Sequence, residues 1–189
     1  MNVSASIEIP LPQAKVFRFF YGLETWFRLN PQWHVLSVEE SRPVKKGHRF
    51  LLKVKYDRDN EAIDYDGVVE EFVDGDFLSV RLNAQKPKYV TVSCADKGGG
   101  SLLQQQEVVE NEPSETDRQE LASWLKSVAW YLMLQNKNTS ASKVWKFFMD
   151  KVWLKMSPTG RRVVLLVIIA EGAGLIFFLL FIIVHYAWL

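Results

Sequence analysis

The side chains here that could carry chemistry are few and scattered. His34, His48 and His185 stand far apart, and no pair has the spacing of a metal site. His34 follows the helix-breaking Pro31 and His48 follows Gly47, so both are expected in loops. Cys94 is the only cysteine and sits in the alternating run Tyr89 to Ala95, so it is expected to be a small core residue. The acidic run Asp57, Asp59, Glu61, Asp64 and Asp66 lacks the calcium-loop spacing and a glycine at its bend, and reads as a solvated strand edge. Gly98-Gly99-Gly100 precedes a strand, not a helix, so it is a hairpin turn and not a phosphate loop. For acid–base work inside a cavity there remain Glu107 and the tyrosines 56, 65 and 131. Glu107 is the best candidate for an inward polar group, although Leu102, Gln104, Gln106 and Val108 compete for that face of the strand. Binding is therefore favoured over catalysis, with no catalytic residue, metal or cofactor predicted.

Glu171 is different, because of where it lies. Val163 to Val184 is 22 residues long with this one ionisable side chain. A helix of roughly 20 apolar residues crosses a hydrocarbon core of about 30 Å and satisfies its own backbone. The spacing predicts a transmembrane helix over 161–188. The N-terminus, MNVSASIEIP, lacks the basic and apolar regions of a signal peptide. An ionised carboxylate near mid-span costs at least about 2.5 kcal/mol, so Glu171 is expected to be protonated or paired. Ala170, Gly172, Ala173 and Gly174 around it would let a second helix approach closely. Ala170, Glu171 and Gly174 are thus the candidate contact with a partner transmembrane helix, from a second copy or another membrane protein.

Charge orients the span. Lys143, Lys146, Lys151, Lys155, Arg161 and Arg162 precede it against Asp150 alone, and no Lys or Arg follows it. Positive flanks stay cytoplasmic, so the N-terminal part is expected in the cytoplasm and the C-terminus across the membrane. Trp145, Phe148 and Trp153 among lysines, with Arg161 and Arg162, suit the near membrane interface, and Tyr186 and Trp188 the far one. The alternative for the basic segment is a helix packed on its own domain. Ser157-Pro158 reads as an N-cap and first helical position. Residues 1–142 carry 17 Lys and Arg against 20 Asp and Glu, which argues against nucleic acid as a partner. Membrane lipids are the expected partner instead.

The elements that must position these residues follow from periodicity. Residues 3–9 alternate as a strand; Val16, Phe17, Phe20 and Leu23 mark two short helices split at Gly22 and ended by Asn30-Pro31. Strand signals recur at 34–41, 48–57, 62–73, 77–84, 88–95 and 102–110. The breaks at Lys46-Gly47, Asp57 to Asn60, Asp74-Gly75-Asp76, Pro87 and Lys97 to Gly100 carry turn chemistry. Ser114 and Asp117 resemble a capping box before a helix over 115–136. The expected fold is α+β: a seven-stranded curved antiparallel sheet closed by a long helix. The domains are 1–136, a joint and basic amphipathic segment over 137–160, and the anchor over 161–188.

This order resembles the helix-grip fold of the START-like, or SRPBCC, superfamily, which includes polyketide cyclases and dehydrases and lipid-transport proteins. The resemblance is carried by Ile7 to Ile9 with Pro12, Val16 and Phe17; by Glu24-Thr25-Trp26 through Asn30-Pro31-Gln32-Trp33; and by Gly47 to Leu52, Gly67 to Phe72 and Gly99 to Gln106. It covers residues 2 to 135, and the apolar C-terminal segment is a departure from the soluble members. The resemblance implies an apolar cavity between sheet and long helix. Its walls would be Phe50, Leu52, Val54, Leu78, Val80, Val90 and Val92 from the strands, with Glu107, and Trp124, Leu125, Val128 and Tyr131 from the helix. The function then expected is a membrane-anchored cytoplasmic module that binds or transfers a lipid, isoprenoid, quinone or similar molecule. The alternatives are an accessory subunit of a membrane complex and, third, a cyclase- or dehydratase-type enzyme.

Overall fold

The computed structural model describes residues 1–40, 44–57, 61–85, 87–108 and 113–187, and only the backbone of residues 186 and 187. The turn expected at Asp57 to Asn60, Asp59 of the acidic run, the last residues of the strands expected to end at 41 and 110, and Trp188 lie wholly or partly outside them.

Strand β1 (Asn2–Ile9) ends at the Pro10 and Pro12 breaks and is followed by α1 (Gln13–Phe17), a 3₁₀ turn (Arg18–Tyr21) and α2 (Leu23–Arg28). Six strands follow: β2 (Trp33–Glu39), β3 (Arg49–Tyr56), β4 (Ala62–Val73), β5 (Phe77–Asn83), β6 (Lys88–Asp96) and β7 (Ser101–Val108). They form one antiparallel sheet in the order β1-β7-β6-β5-β4-β3-β2. Each neighbour from β2 to β7 is the next strand in sequence, as short turns require. Only β1 pairs out of order, joining β7 with Ile9 opposite Ser101. The register shifts between Val35 and Ser37 and between Val69 and Glu71; an extra residue in one strand bends the sheet locally. The β6–β7 turn needs Gly98 and Gly99, at φ 57° and 108°.

The long helix α3 (Glu115–Asn136) lies in the concave face of this sheet, packed mainly on β1 and β7. The Ser114 hydroxyl accepts from the Asp117 N–H at 3.1 Å, and Asp117 accepts in return from the Ser114 N–H at 2.9 Å. These two bonds satisfy donors that the first turn of a helix leaves open. Leu121, Trp124, Leu125, Val128 and Leu132 form its buried stripe. Cys94 is buried in the core as expected, and burial raises its thiol pKa.

Two helices follow. α4 (Ser140–Lys151) begins earlier than the amphipathic pattern suggested, because the Thr139 hydroxyl accepts the Ser142 N–H at 3.2 Å and caps it. A 3₁₀ turn (Trp153–Lys155) leads to α5 (Pro158–Ala187), where the Ser157 hydroxyl accepts the Gly160 N–H at 3.1 Å. Beyond its first turn α5 is apolar and its described side chains are exposed on every face. His34 corrects an expectation: it lies within β2, not in a loop, since the chain turns into the strand at Trp33 immediately after Pro31.

Candidate functional site

The compartment between α3 and the sheet is filled by rings. Trp26 stacks on Trp124 at 5.3 Å and on Phe27 at 5.0 Å, and Trp33 stacks on Tyr65 at 6.4 Å. Phe20 meets Trp26 edge-on, and Phe50 packs on Phe27. The indole N–H of Trp124 donates to the Trp26 carbonyl at 2.9 Å, and that of Trp26 to Gln105 Oε1 at 3.3 Å, so these polar edges are satisfied inside an apolar layer. The expected cavity residues Phe50, Leu52, Val54, Leu78, Val80, Val90, Val92, Trp124, Leu125 and Val128 are all buried in this one core. Tyr131 is buried at the edge of the same core: its ring packs on Phe19 at 5.8 Å, and its hydroxyl donates to Asp150 of α4 at 2.9 Å.

A small polar void remains at one end of this compartment. It measures about 80 Å³ and is bordered by Trp33, Tyr56, Lys88, Glu107, Asp117 and Trp124, among others. Glu107 does point inward, paired with Lys88 at 3.0 Å. The Lys88 ammonium also stands over the rings of Trp33 and Tyr56, at 5.8 and 5.5 Å. Burial pulls the Lys88 pKa down, but Glu107 and Tyr56 outweigh it and the net shift is upward. Tyr65, buried and bonded to the Tyr56 hydroxyl at 3.1 Å, is held well above an ordinary phenol. A void of this size holds a few waters; pockets for organic ligands run to about 300–1,000 Å³. Lys88 was missed from the sequence, yet strand alternation places it on the same inward face as Val90 and Val92.

A larger hollow lies on the opposite side of α3. It has a volume of about 750 Å³. Ser123, Lys126, Ser127 and Trp130 of α3 form one wall, and Trp145, Phe148 and Met149 of α4 another. The segment Leu29 to Gln32 closes one end, and Trp153, Pro158, Arg161, Arg162, Leu165 and Ile168 carry the wall onto α5. Of the residues expected at the near membrane interface, Trp145, Phe148, Trp153, Arg161 and Arg162 all border this groove. α4 packs on its own domain through Met149 and Ser142, which are buried, while Trp145 at 49% and Phe147 at 66% stay exposed. Trp130, 48% exposed on α3, was missed. A tryptophan on the face opposite the buried stripe was its signal.

The base of α5 is fastened to the domain. Arg161 is only 9% exposed, and its guanidinium donates to the carbonyls of Trp153, Leu154 and Arg28 at 3.0, 3.3 and 2.9 Å. Arg162 pairs with Asp57 at 2.7 Å, and Thr159 donates to the same carboxylate at 2.7 Å. Asp57, expected only as part of a solvated edge, therefore joins the β3 end to α5. His34 lies close by, its pKa lowered by burial and then by the Arg161 and Arg28 charges. Further along α5, Ala170, Glu171 and Gly174 are exposed.

Sheet order, the long helix in its concave face and the short helices after β1 define the class: this is a helix-grip fold. Solved structures with this fold include TTHA0849 from Thermus thermophilus, at 14% identity and TM-score 0.56, over 72% of this chain and 100% of that one. Protein CV1439 from Chromobacterium violaceum matches at 14% identity and TM-score 0.56, over 69% and 96%. An AHSA1-like protein from Aeromonas hydrophila matches at 16% and 0.54, over 74% and 99%. At such identities the likeness is one of fold alone. No protein-family model and no curated protein matches the sequence.

Proposed function

We propose that this chain is a membrane-anchored cytoplasmic module that takes up a lipid or similar apolar molecule, an isoprenoid or quinone included, from the bilayer through the groove beside α5. One observation carries this: the residues lining the groove include Leu165 and Ile168 of the apolar helix as well as those of the domain. If Val163 to Val184 crosses the bilayer, these two residues sit in its outermost hydrocarbon, and the groove opens there. A volume of about 750 Å³ suits part of a lipid. The filled helix-grip interior offers no comparable room in its void of about 80 Å³. The basic residues before α5 favour a cytoplasmic domain. Anchoring keeps the domain at high local concentration beside its ligand.

The test is a lipid extract of the full chain after purification in mild detergent, read by mass spectrometry beside a Trp130→Ala, Phe148→Ala double variant. The intact chain is expected to retain bound lipid and the variant to lose most of it. A chain that repeatedly comes out empty would sink the proposal.

A second reading, an accessory subunit of a membrane complex, is favoured by Glu171. A Cβ added to Gly172 or Gly174 meets nothing within 4 Å, so that face of α5 has room for another helix. A cyclase-type reaction is less supported, because Glu107 is already paired with Lys88 and the void beside it is small.

A further inference from the structure

We propose that the groove selects an anionic phospholipid, with Lys126 as the cation that meets its phosphate. The inference rests on the groove being a lipid site, and it names the class of lipid. Its lining holds three cations, Lys126, Arg161 and Arg162, and no carboxylate. In a chain with 22 Asp and Glu against 23 Lys and Arg, that asymmetry is local.

The three cations are not equivalent. Arg161 spends its guanidinium on three backbone carbonyls. Arg162 is half committed to Asp57, through Nη1. Lys126 lies exposed on α3 and makes no ion pair or hydrogen bond among the described residues. It is the charge in the groove that a headgroup can take without displacing a protein partner.

The rest of the lining offers chemistry for the same ligand. Gln32 and Ser123 offer hydrogen-bonding groups in the same lining. Trp130, Trp145, Phe148, Leu165 and Ile168 offer apolar wall for the glycerol and first acyl carbons. Tryptophan and basic side chains together are what the headgroup layer of a membrane accommodates. A zwitterionic headgroup would bring its own cation toward Lys126 and Arg162, where no carboxylate of the groove can meet it.

The experiment is native mass spectrometry of the full chain released from nanodiscs of equimolar phosphatidylcholine and phosphatidylglycerol. Retained lipid is expected to be enriched in phosphatidylglycerol about fivefold over the bulk ratio, which corresponds to about 1 kcal/mol for one basic side chain near a lipid surface. Lys126→Glu is expected to return the ratio to bulk while the chain keeps its lipid. Lys45→Glu, an equal change of charge outside the groove, is expected to leave the enrichment intact. Lipid retained at the bulk ratio, or enrichment unchanged in Lys126→Glu, overturns the inference and leaves the lipid site standing. Enrichment lost equally in Lys45→Glu overturns it too, since net charge then sets the preference. A wild-type chain that retains no lipid overturns both.

Discussion

The ring of Phe50 lies across Gly67 of the neighbouring strand. The two are register partners in β3 and β4, and a Cβ built on Gly67 would stand 2.2 Å from the Phe50 ring. Nothing larger than a hydrogen fits there without moving the ring, and the ring is held by Phe27 behind it. Gly67→Ala is therefore expected to cost about 1–3 kcal/mol, the usual penalty for overpacking a filled core. A denaturant titration checks this, and an unchanged midpoint would show that Phe50 yields freely. The Lys88–Glu107 pair works by a different rule. Both groups are partly withdrawn from water, so each is tolerable only because the other is there.

Among the elements, α3 depends on its first turn. Hydrogen bonds from Ser114 hold the Asp117 carboxyl below its usual range. A folded pKa below the unfolded one means the bond contributes fully above the ordinary value of 3.8 and is lost as pH falls through the lower folded value. Protection of amides in the first turn of α3, relative to their intrinsic exchange rates, should thus fall as pH drops below about 4. Asp117→Asn should flatten that dependence. Ser114→Ala should weaken the helix start at every pH, by about 1 kcal/mol. A first turn whose exchange follows only the intrinsic pH trend would contradict this account. α4 has no such isolated role. It is tied to α3 through Tyr131 and Asp150 and to the base of α5 by a short 3₁₀ turn, so the groove walls are set by contacts among three helices.

For the whole molecule, the coupling of α5 to the domain matters most. Arg161 and Asp57 fix where the helix leaves the domain, and so how α5 stands against the groove. If α5 crosses a bilayer, such a connection favours a domain held against its surface over one swinging on a tether. Glu171 belongs to this scale too: if α5 crosses a bilayer, a lone carboxyl near mid-span is costly and favours a neighbouring helix. Glu171→Ala is expected to weaken co-purification of a partner helix in mild detergent, or to shift self-assembly toward monomer if the partner is a second copy. Unchanged assembly would remove the partner-helix reading.

Much of this was legible in the chain. Alternation gave the strands, turn residues their ends, and Ser114 with Asp117 the start of α3, because these depend on neighbours a few residues apart. The length and purity of the apolar run specified α5 in the same way. The resemblance placed the ligand cavity between sheet and helix, and there only tertiary structure decided the outcome. Whether rings from α2, β2, β3, β4 and α3 leave space or fill it depends on their meeting angles, which no local pattern encodes. The same holds for the pairing of Asp57 with Arg162, which are distant in sequence, and for a groove whose walls come from four separate segments. Sequence determined which residues are apolar, charged or turn-forming; the fold decided which of them face one another, packing the rings together inside the grip and leaving the larger hollow at the base of α5.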